Sequence, residues 1–116
     1  MKIREIKELL DAEIIAGADH LDDDVHSACG SDMMSDVLAF VKDQAVLLTG
    51  LVNAQVVRTA DMMDMKCIVF VRGKVPADDI IQLADGMNIA LLTTAERMYV
   101  ACGKLYLAGL RGGETL

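Results

Sequence analysis

The chain has 116 residues and no linker or low-complexity segment, so we expect residues 1–116 to form a single domain with its own core. Hydrophobic residues make up 53% of it, and 18 Asp and Glu against 11 Lys and Arg give a net charge of −7. Such a charge repels a phosphate backbone and an anionic bilayer surface, which argues against nucleic acid and membranes as partners.

The first half of the chain predicts two helices and three short strands. Apolar residues recur at helical spacing over residues 3–10 and 34–41, which indicates amphipathic helices. Short apolar stretches at residues 13–16, 25–28 and 45–49 are bounded by turn residues and predict strands. The predicted order is therefore helix, strand, strand, helix, strand.

The second half alternates strands with capped helices. Asn53 can accept a hydrogen bond from a free amide in the first turn of a third helix, and Ser31 or Asp32 can cap the second helix in the same way. Residues 66–71 are rich in β-branched side chains and predict a strand. Residues 77–85 predict a fourth helix, because acidic residues follow a proline at its start and a glycine follows its end.

The last strand and helix follow the same scheme. Residues 90–94 predict a strand, and Thr93 and Glu96 have the spacing of a capping box at the start of a closing helix. The apolar stripe of that helix is formed by Met98, Ala101, Cys102 and Leu105.

Three of the predicted strands share a repeat. Leu48, Phe70 and Leu92 occupy corresponding positions, and the two intervals between them are equal. A period this short fits one strand and one compact helix that returns the chain in the same direction. The sequence therefore predicts an α/β fold with a mostly parallel sheet, built from repeated short βα units, and helices on both faces.

Polar residues follow the predicted strands where the chain leaves the sheet. Hydroxyls, amides and a guanidinium group at one edge of a parallel sheet can hold phosphate or carboxylate oxygens. The candidate site for a small anionic ligand consists of Thr49, Gly50, Arg72, Gly73, Thr93 and Thr94. Alternatively, these residues only cap helices and permit tight turns.

Other chemistry has less support in the sequence. His20, Asp22, Asp24 and His26 alternate along an acidic segment and would share one side of an extended strand. A solvated turn explains them more simply, since they lack the spacing of a closed ligand set. The sequence also has no phosphate-binding loop, dinucleotide-binding glycine pattern or nucleophile elbow. We therefore expect no catalytic residue, metal or cofactor, and no enzymatic activity.

The three cysteines bear on the cellular compartment. Cys29, Cys67 and Cys102 are widely spaced among apolar neighbours, which favours reduced, buried thiols over a disulfide framework. The first residues of the chain are charged where a secretory signal is apolar. We therefore expect a cytoplasmic protein.

The order of these segments resembles the DRTGG domain family over nearly the whole chain. The resemblance is carried by Gly17 with its acidic turn and by residues 35–38, 47–50, 58–60, 68–76, 81–84 and 89–94. That family is similar in fold to the amino-terminal domain of HPr kinase/phosphorylase and occurs as a regulatory module in CBS-domain pyrophosphatases. The resemblance implies a regulatory, often dimer-forming module rather than an enzyme.

Two functions stay open at this point. The first is a non-catalytic regulatory module for a small anionic ligand, for which the resemblance suggests an adenine nucleotide. The second is a homodimerisation or protein-docking domain without a small ligand, in which Tyr99 and Tyr106 on one face of the closing helix anchor the dimer. Since the chain has no attached catalytic domain, we expect it to signal to a partner enzyme by contact.

Overall fold

The structure, a computed structural model, describes residues 1–40 and 44–113. The strands are β1 (Glu13–Ala16), β2 (Ser27–Gly30), β3 (Ala45–Thr49), β4 (Cys67–Phe70) and β5 (Ala90–Thr93). The helices are α1 (Ile3–Leu9), α2 (Met34–Phe40), α3 (Ala54–Met62), α4 (Asp78–Gly86) and α5 (Met98–Leu107), with a short 3₁₀ helix at Ala18–His20. The predicted order of helices and strands is confirmed. Val41, at the end of the predicted second helix, lies outside the described residues.

The strands form one sheet in the order β1-β5-β4-β3-β2. The pairs β2·β3, β3·β4 and β4·β5 are parallel, whereas β1 pairs with β5 in the antiparallel direction. The prediction of a mostly parallel α/β sheet is therefore confirmed. All residues of β3 and β4 are buried, as expected for central strands covered on both sides.

Helices cover both faces of the sheet. On one face α1 and α5 pack over a cluster that includes Val46, Leu48 and Leu92, and on the other α2, α3 and α4 pack over Leu47 and Phe70. Successive strand residues enter opposite clusters because side chains alternate across a strand. This arrangement leaves the strand ends, and the loops that leave them, along the edges of the domain.

The predicted register of the repeat is wrong by one residue in β4. Leu48 pairs with Val69, and Val69 pairs with Leu92, while Phe70 pairs with Thr49. A shift of one residue moves a side chain to the opposite face of the sheet. Phe70 therefore packs under α3 and α4, away from Leu48 and Leu92.

Strand β2 also begins later than the sequence predicts. The amide of Val25, the first residue of the predicted strand, donates a 2.8 Å hydrogen bond to the carbonyl of Met1. The Val25 carbonyl accepts a 3.0 Å bond from the amino terminus of Met1. The main chain there is paired with the amino terminus, so the ladder with β3 starts only at Ser27.

The expected helix caps are found in part. Asn53 caps α3 and accepts a hydrogen bond from the amide of Val56 at 3.2 Å, as predicted. The predicted capping box of α5 is wrong, because Thr93 belongs to β5 and its hydroxyl donates to the carbonyl of Lys74. Helix α5 begins at Met98, and its N-cap residue makes no side-chain capping bond.

Candidate functional site

The residues of the candidate site lie along the edge at which the parallel strands end. Thr49 closes β3, and its carbonyl accepts a 3.0 Å hydrogen bond from the amide of Val71 after β4. The amide of Gly73 donates a 2.8 Å bond to the carbonyl of Thr94 after β5. These bonds continue the sheet past its last ladder pairs, so the exits of three neighbouring strands are held side by side. We call this edge the strand-end rim.

An aspartate that sequence analysis did not place in the site lies against the end of β3. Asp32 Oδ1 accepts a 2.9 Å hydrogen bond from the hydroxyl of Thr49 and a 2.7 Å bond from the amide of Gly50. The Thr49 hydroxyl in turn accepts from the amide of Leu51 at 3.1 Å. A hydroxyl and an amide that converge on one carboxylate oxygen form an anion-binding pair, and here the anion is part of the chain.

The position of Asp32 differs from the helix cap considered from the sequence. Ser31 is the residue whose hydroxyl accepts from a nearby amide, that of Met33, at 3.0 Å. Asp32 is turned toward β3 instead. The sequence shows only that an acidic residue follows a predicted strand. It does not show which hydrogen-bond donors the carboxylate of that residue contacts.

Arg72 lies beside the same donors in an unusual backbone conformation. Its φ angle is 60°, and Gly73 follows with a φ of 68°. The left-handed region is costly for a residue with a Cβ, so the sequence Arg72-Gly73 forms a tight exit from β4 at the expense of strain at Arg72. The amide of Arg72 donates a 2.8 Å bond to the carbonyl of Glu96, which holds this turn against the loop after β5.

The guanidinium group of Arg72 extends over Gly50. A Cβ atom added to Gly50 would collide with Nη2 of Arg72, so the glycine leaves the room that the side chain uses. Within residues 1–40 and 44–113, this exposed guanidinium makes no hydrogen bond or ion pair. The rim therefore combines a hydroxyl, an amide and a cation within the reach of one small anion.

The other two threonines of the predicted site are committed to the fold. The Thr93 hydroxyl donates to the carbonyl of Lys74 at 2.7 Å. The buried Thr94 hydroxyl donates to the carbonyl of Leu10 at 2.7 Å and accepts from the amide of Glu96 at 3.2 Å. For these two residues, the interpretation as turn and loop anchors agrees with the hydrogen bonds.

The acidic segment is a folded turn rather than an extended strand. Asp22 pairs with Arg4 at 3.1 Å, and this bond holds the pKa of Asp22 below its ordinary value. His20 and Asp23 are joined at 2.9 Å, and Asp24 lies 3.7 Å from the ammonium of Lys2. In the part of the chain that the structure describes, no three His, Cys, Asp or Glu side chains are grouped to hold a metal ion.

The three cysteines are free thiols. Burial raises the pKa of Cys67 to about 12, and burial is also the main cause of the raised pKa values of Cys29 and Cys102. The expectation of buried thiols holds for Cys67 only, because Cys29 and Cys102 lie near the edge of the sheet and are half-buried. All three are weak nucleophiles at neutral pH, since the thiolate is the reactive form.

The outward side of α5 is apolar, and none of the residues that the structure describes covers it. Tyr99 and Leu107 are each 89% exposed, and Val100 and Tyr106 are about half as exposed. With Gly103 they lie on one side of the helix, which we call the α5 face. Two of the nearby charges are paired or stacked: Lys104 bonds Glu96 at 2.7 Å, and Arg111 lies over the Tyr106 ring at 3.8 Å.

The length and composition of the helices can be compared with a bilayer. A transmembrane helix needs about 20 mostly apolar residues. Over residues 1–40 and 44–113, no helix is both long and apolar enough to cross a membrane.

The fold and the strand-end rim define a small α/β domain that presents polar loops at one edge of a parallel sheet. The DRTGG domain model matches residues 5–106, and the chain belongs to the DRTGG domain family. This confirms the resemblance noted in the sequence. A comparison with curated proteins finds no match.

A solved structure has a similar fold. It contains the CBS and DRTGG domains of the regulatory region of Clostridium perfringens pyrophosphatase, complexed with an activator, diadenosine tetraphosphate. The TM-score is 0.73 at 18% sequence identity. The likeness covers 90% of this chain but 45% of that one, so the present chain spans less than half of that regulatory region.

Proposed function

We propose that this protein is a non-catalytic regulatory domain that binds a small anionic ligand, specifically an adenine nucleotide, at the carboxyl ends of its parallel strands. One observation carries this proposal: the Thr49 hydroxyl and the Gly50 amide already hold a carboxylate oxygen, and over the same glycine lies the guanidinium of Arg72, which has no partner among the described residues. A phosphate oxygen accepts hydrogen bonds from the same donors and pairs well with a guanidinium.

The electrostatics of the chain support a localised anion site. The net charge of −7 opposes any anion at long range, so binding depends on short-range donors and a nearby cation. Arg72 supplies that cation at the rim, while Thr93 and Thr94 hold the neighbouring loops in place. Within the proposed site, Thr49, Gly50 and Arg72 contact the ligand, and Gly73, Thr93 and Thr94 position them.

The nucleotide is proposed by analogy with the solved relative. The regulatory region of that pyrophosphatase is complexed with diadenosine tetraphosphate, and its DRTGG domain belongs to the same family. We further propose that residues 1–116 act as one domain, in the cytoplasm, and pass the signal of bound ligand to a partner enzyme by contact. The domain itself supplies no catalytic group, metal or cofactor in this proposal.

The ligand is tested by thermal unfolding with diadenosine tetraphosphate, ATP and acetyl phosphate. A ligand that binds only the native state raises the melting temperature with concentration. Titration calorimetry of the strongest hit is then repeated with Arg72→Ala and with Arg58→Ala, an exposed arginine on α3. We expect the affinity to fall by roughly tenfold or more for Arg72→Ala and to be unchanged for Arg58→Ala. Equal affinity in all three proteins contradicts the site.

A second candidate function is homodimerisation through the α5 face, favoured by its exposed aromatic and aliphatic side chains. The occupant we propose is a second copy of this chain. Two copies that each carry a charge of −7 repel one another over most of their surface, so a face formed mainly by apolar side chains is where they can approach. In such a dimer, the exposed tyrosine and leucine side chains of one copy are buried against those of the other.

The dimer is tested by sedimentation velocity over a range of protein concentrations. Leu107→Glu places a charge on the α5 face and is expected to yield a monomer. Met62→Glu is the matched control, because Met62 is 73% exposed at the end of α3, away from that face. A wild-type protein that is monomeric at all concentrations contradicts this function.

A further inference from the structure

We infer that Asp32 is a built-in competitor of the ligand, so that an anion can use the donors at Gly50 only by displacing this carboxylate. The inference rests on the proposed function and adds a regulatory step to it. In the free protein, the Asp32 carboxylate occupies the part of the rim that the ligand would use.

The geometry shows what the competition is for. Asp32 Oδ1 takes both the Thr49 hydroxyl and the Gly50 amide, at 2.9 and 2.7 Å. Each of these groups has one hydrogen to donate, so a ligand oxygen cannot use them while Asp32 does. The hydroxyl also accepts from the Leu51 amide, which fixes its direction and keeps it aimed at the acceptor.

Among the described residues, no cation pairs with the Asp32 carboxylate. In the described part of the chain, Asp32 makes no ion pair with Arg72 or with another cation within 4.0 Å. Its side chain is exposed, so the carboxylate can leave the donors and be hydrated without unfolding the core. A phosphate group can accept the two hydrogen bonds and place its negative charge beside the guanidinium of Arg72. Such a ligand gains an ion pair that Asp32 does not make.

Displacement has a structural consequence in the β2–α2 connection. Asp32 links this connection to the end of β3, together with the 3.0 Å bond from the Ser31 amide to the carbonyl of Leu48. When the carboxylate leaves, the first turn of α2 loses the anchor that precedes it. The segment that contains Asp32 and the 61% exposed Met33 is then expected to change its position when the ligand binds.

The inference is tested with ATP as the probe and Asp32→Asn as the variant. The asparagine oxygen can still accept the two hydrogen bonds, so the fold is preserved while the competing charge is removed. Asp36→Asn is the matched control, because it removes the same charge from an exposed residue on α2. We expect ATP to bind Asp32→Asn roughly tenfold more tightly than the wild type, and the control to show the wild-type affinity.

The second measurement is hydrogen exchange with and without ATP. Displacement predicts faster amide exchange across residues 31–37 of the wild type when ATP is bound. Unchanged or weaker ATP binding by Asp32→Asn, or slower exchange in this segment, overturns the inference while leaving the proposed function in place. If neither protein binds ATP, diadenosine tetraphosphate or inorganic phosphate, the proposed function fails, and the inference fails with it.

Discussion

The hydroxyl of Thr94 donates a 2.7 Å hydrogen bond to the carbonyl oxygen of Leu10, at the carboxyl end of α1. The bond is buried and joins residues near opposite ends of the chain. The same hydroxyl accepts from the amide of Glu96 at 3.2 Å, which shapes the loop after β5. Because that loop also holds Gly73 and Arg72 through their amides, Thr94 indirectly sets the position of the strand-end rim.

Replacement of Thr94 by valine tests this anchor. The change leaves the carbonyl of Leu10 buried without its donor, so we expect a loss of about 1–3 kcal/mol in the free energy of unfolding. Thr94→Ser keeps the hydroxyl and should retain most of the stability. Urea denaturation of the three proteins measures the effect. A Thr94→Val protein as stable as the wild type would contradict the role of this bond.

Arg72 combines backbone strain with a proposed role in binding, and the two can be separated by substitution. Arg72→Gly removes the Cβ that makes a φ of 60° costly, so we expect the free energy of unfolding to rise by up to about 1 kcal/mol. Arg72→Ala keeps the Cβ and should bring no such gain. Both variants should lose affinity for the anion, as measured by calorimetry. A gain in stability with loss of binding is expected where strain is retained for function.

Gly50 is predicted to matter because of the space above it. A methyl group at this position would push the guanidinium of Arg72 away, so Gly50→Ala should weaken anion binding several-fold while changing the free energy of unfolding by less than about 1 kcal/mol. Gly86→Ala is the control, since a Cβ there meets nothing within 4 Å. That variant should bind normally and gain up to about 1 kcal/mol in helix stability. Equal ligand titrations for both variants would argue against the placement of Arg72.

The buried thiol of Cys67 predicts a loss of stability at alkaline pH. Its pKa is raised from 9.0 to about 12, so the folded state keeps the proton that the unfolded chain releases above pH 9. The stabilising contribution is complete below pH 9 and declines as pH rises toward 12, with a slope of about 1.4 kcal/mol per pH unit for one proton.

The matched variant for this prediction is Cys67→Ala, which removes the titrating group. Its unfolding free energy, measured by urea denaturation from pH 8 to 11, should fall less steeply than that of the wild type. The difference between the two curves isolates Cys67 from lysine and tyrosine titration. Parallel curves would show that the thiol ionises in the folded state as readily as in the unfolded chain.

Much of the fold could be predicted from local patterns. The strand at Ala45–Thr49 and the Asn53 cap that follows it depend on residues that are close together in the sequence. The hydrophobic pattern and the capping side chain were therefore enough to predict them. The α5 capping box failed because Thr93 had a longer-range partner, the carbonyl of Lys74. A local motif predicts structure only while its groups have no better partner elsewhere.

The candidate site was predictable in location but not in composition. The parallel direction of the strands placed Thr49, Arg72 and Thr94 on one edge, because like-directed strands end together. The sequence could not show that Thr94 is bound to Leu10, nor that Asp32 fills the donors at Thr49. Both facts depend on residues that meet only after the chain has folded.

The sequence by itself determined the alternation of short strands and helices, and with it the α/β class, since the position of each element is specified largely by the hydrophobic pattern and turn residues of its own segment. Only the tertiary structure decided that β1 runs antiparallel to β5, that Phe70 faces α3 and α4, and that Asp32 lies against Gly50. The physical reason is that register, strand direction and carboxylate partners are set by long-range packing and hydrogen bonds. A one-residue shift or a nearby donor changes these features without altering the local pattern.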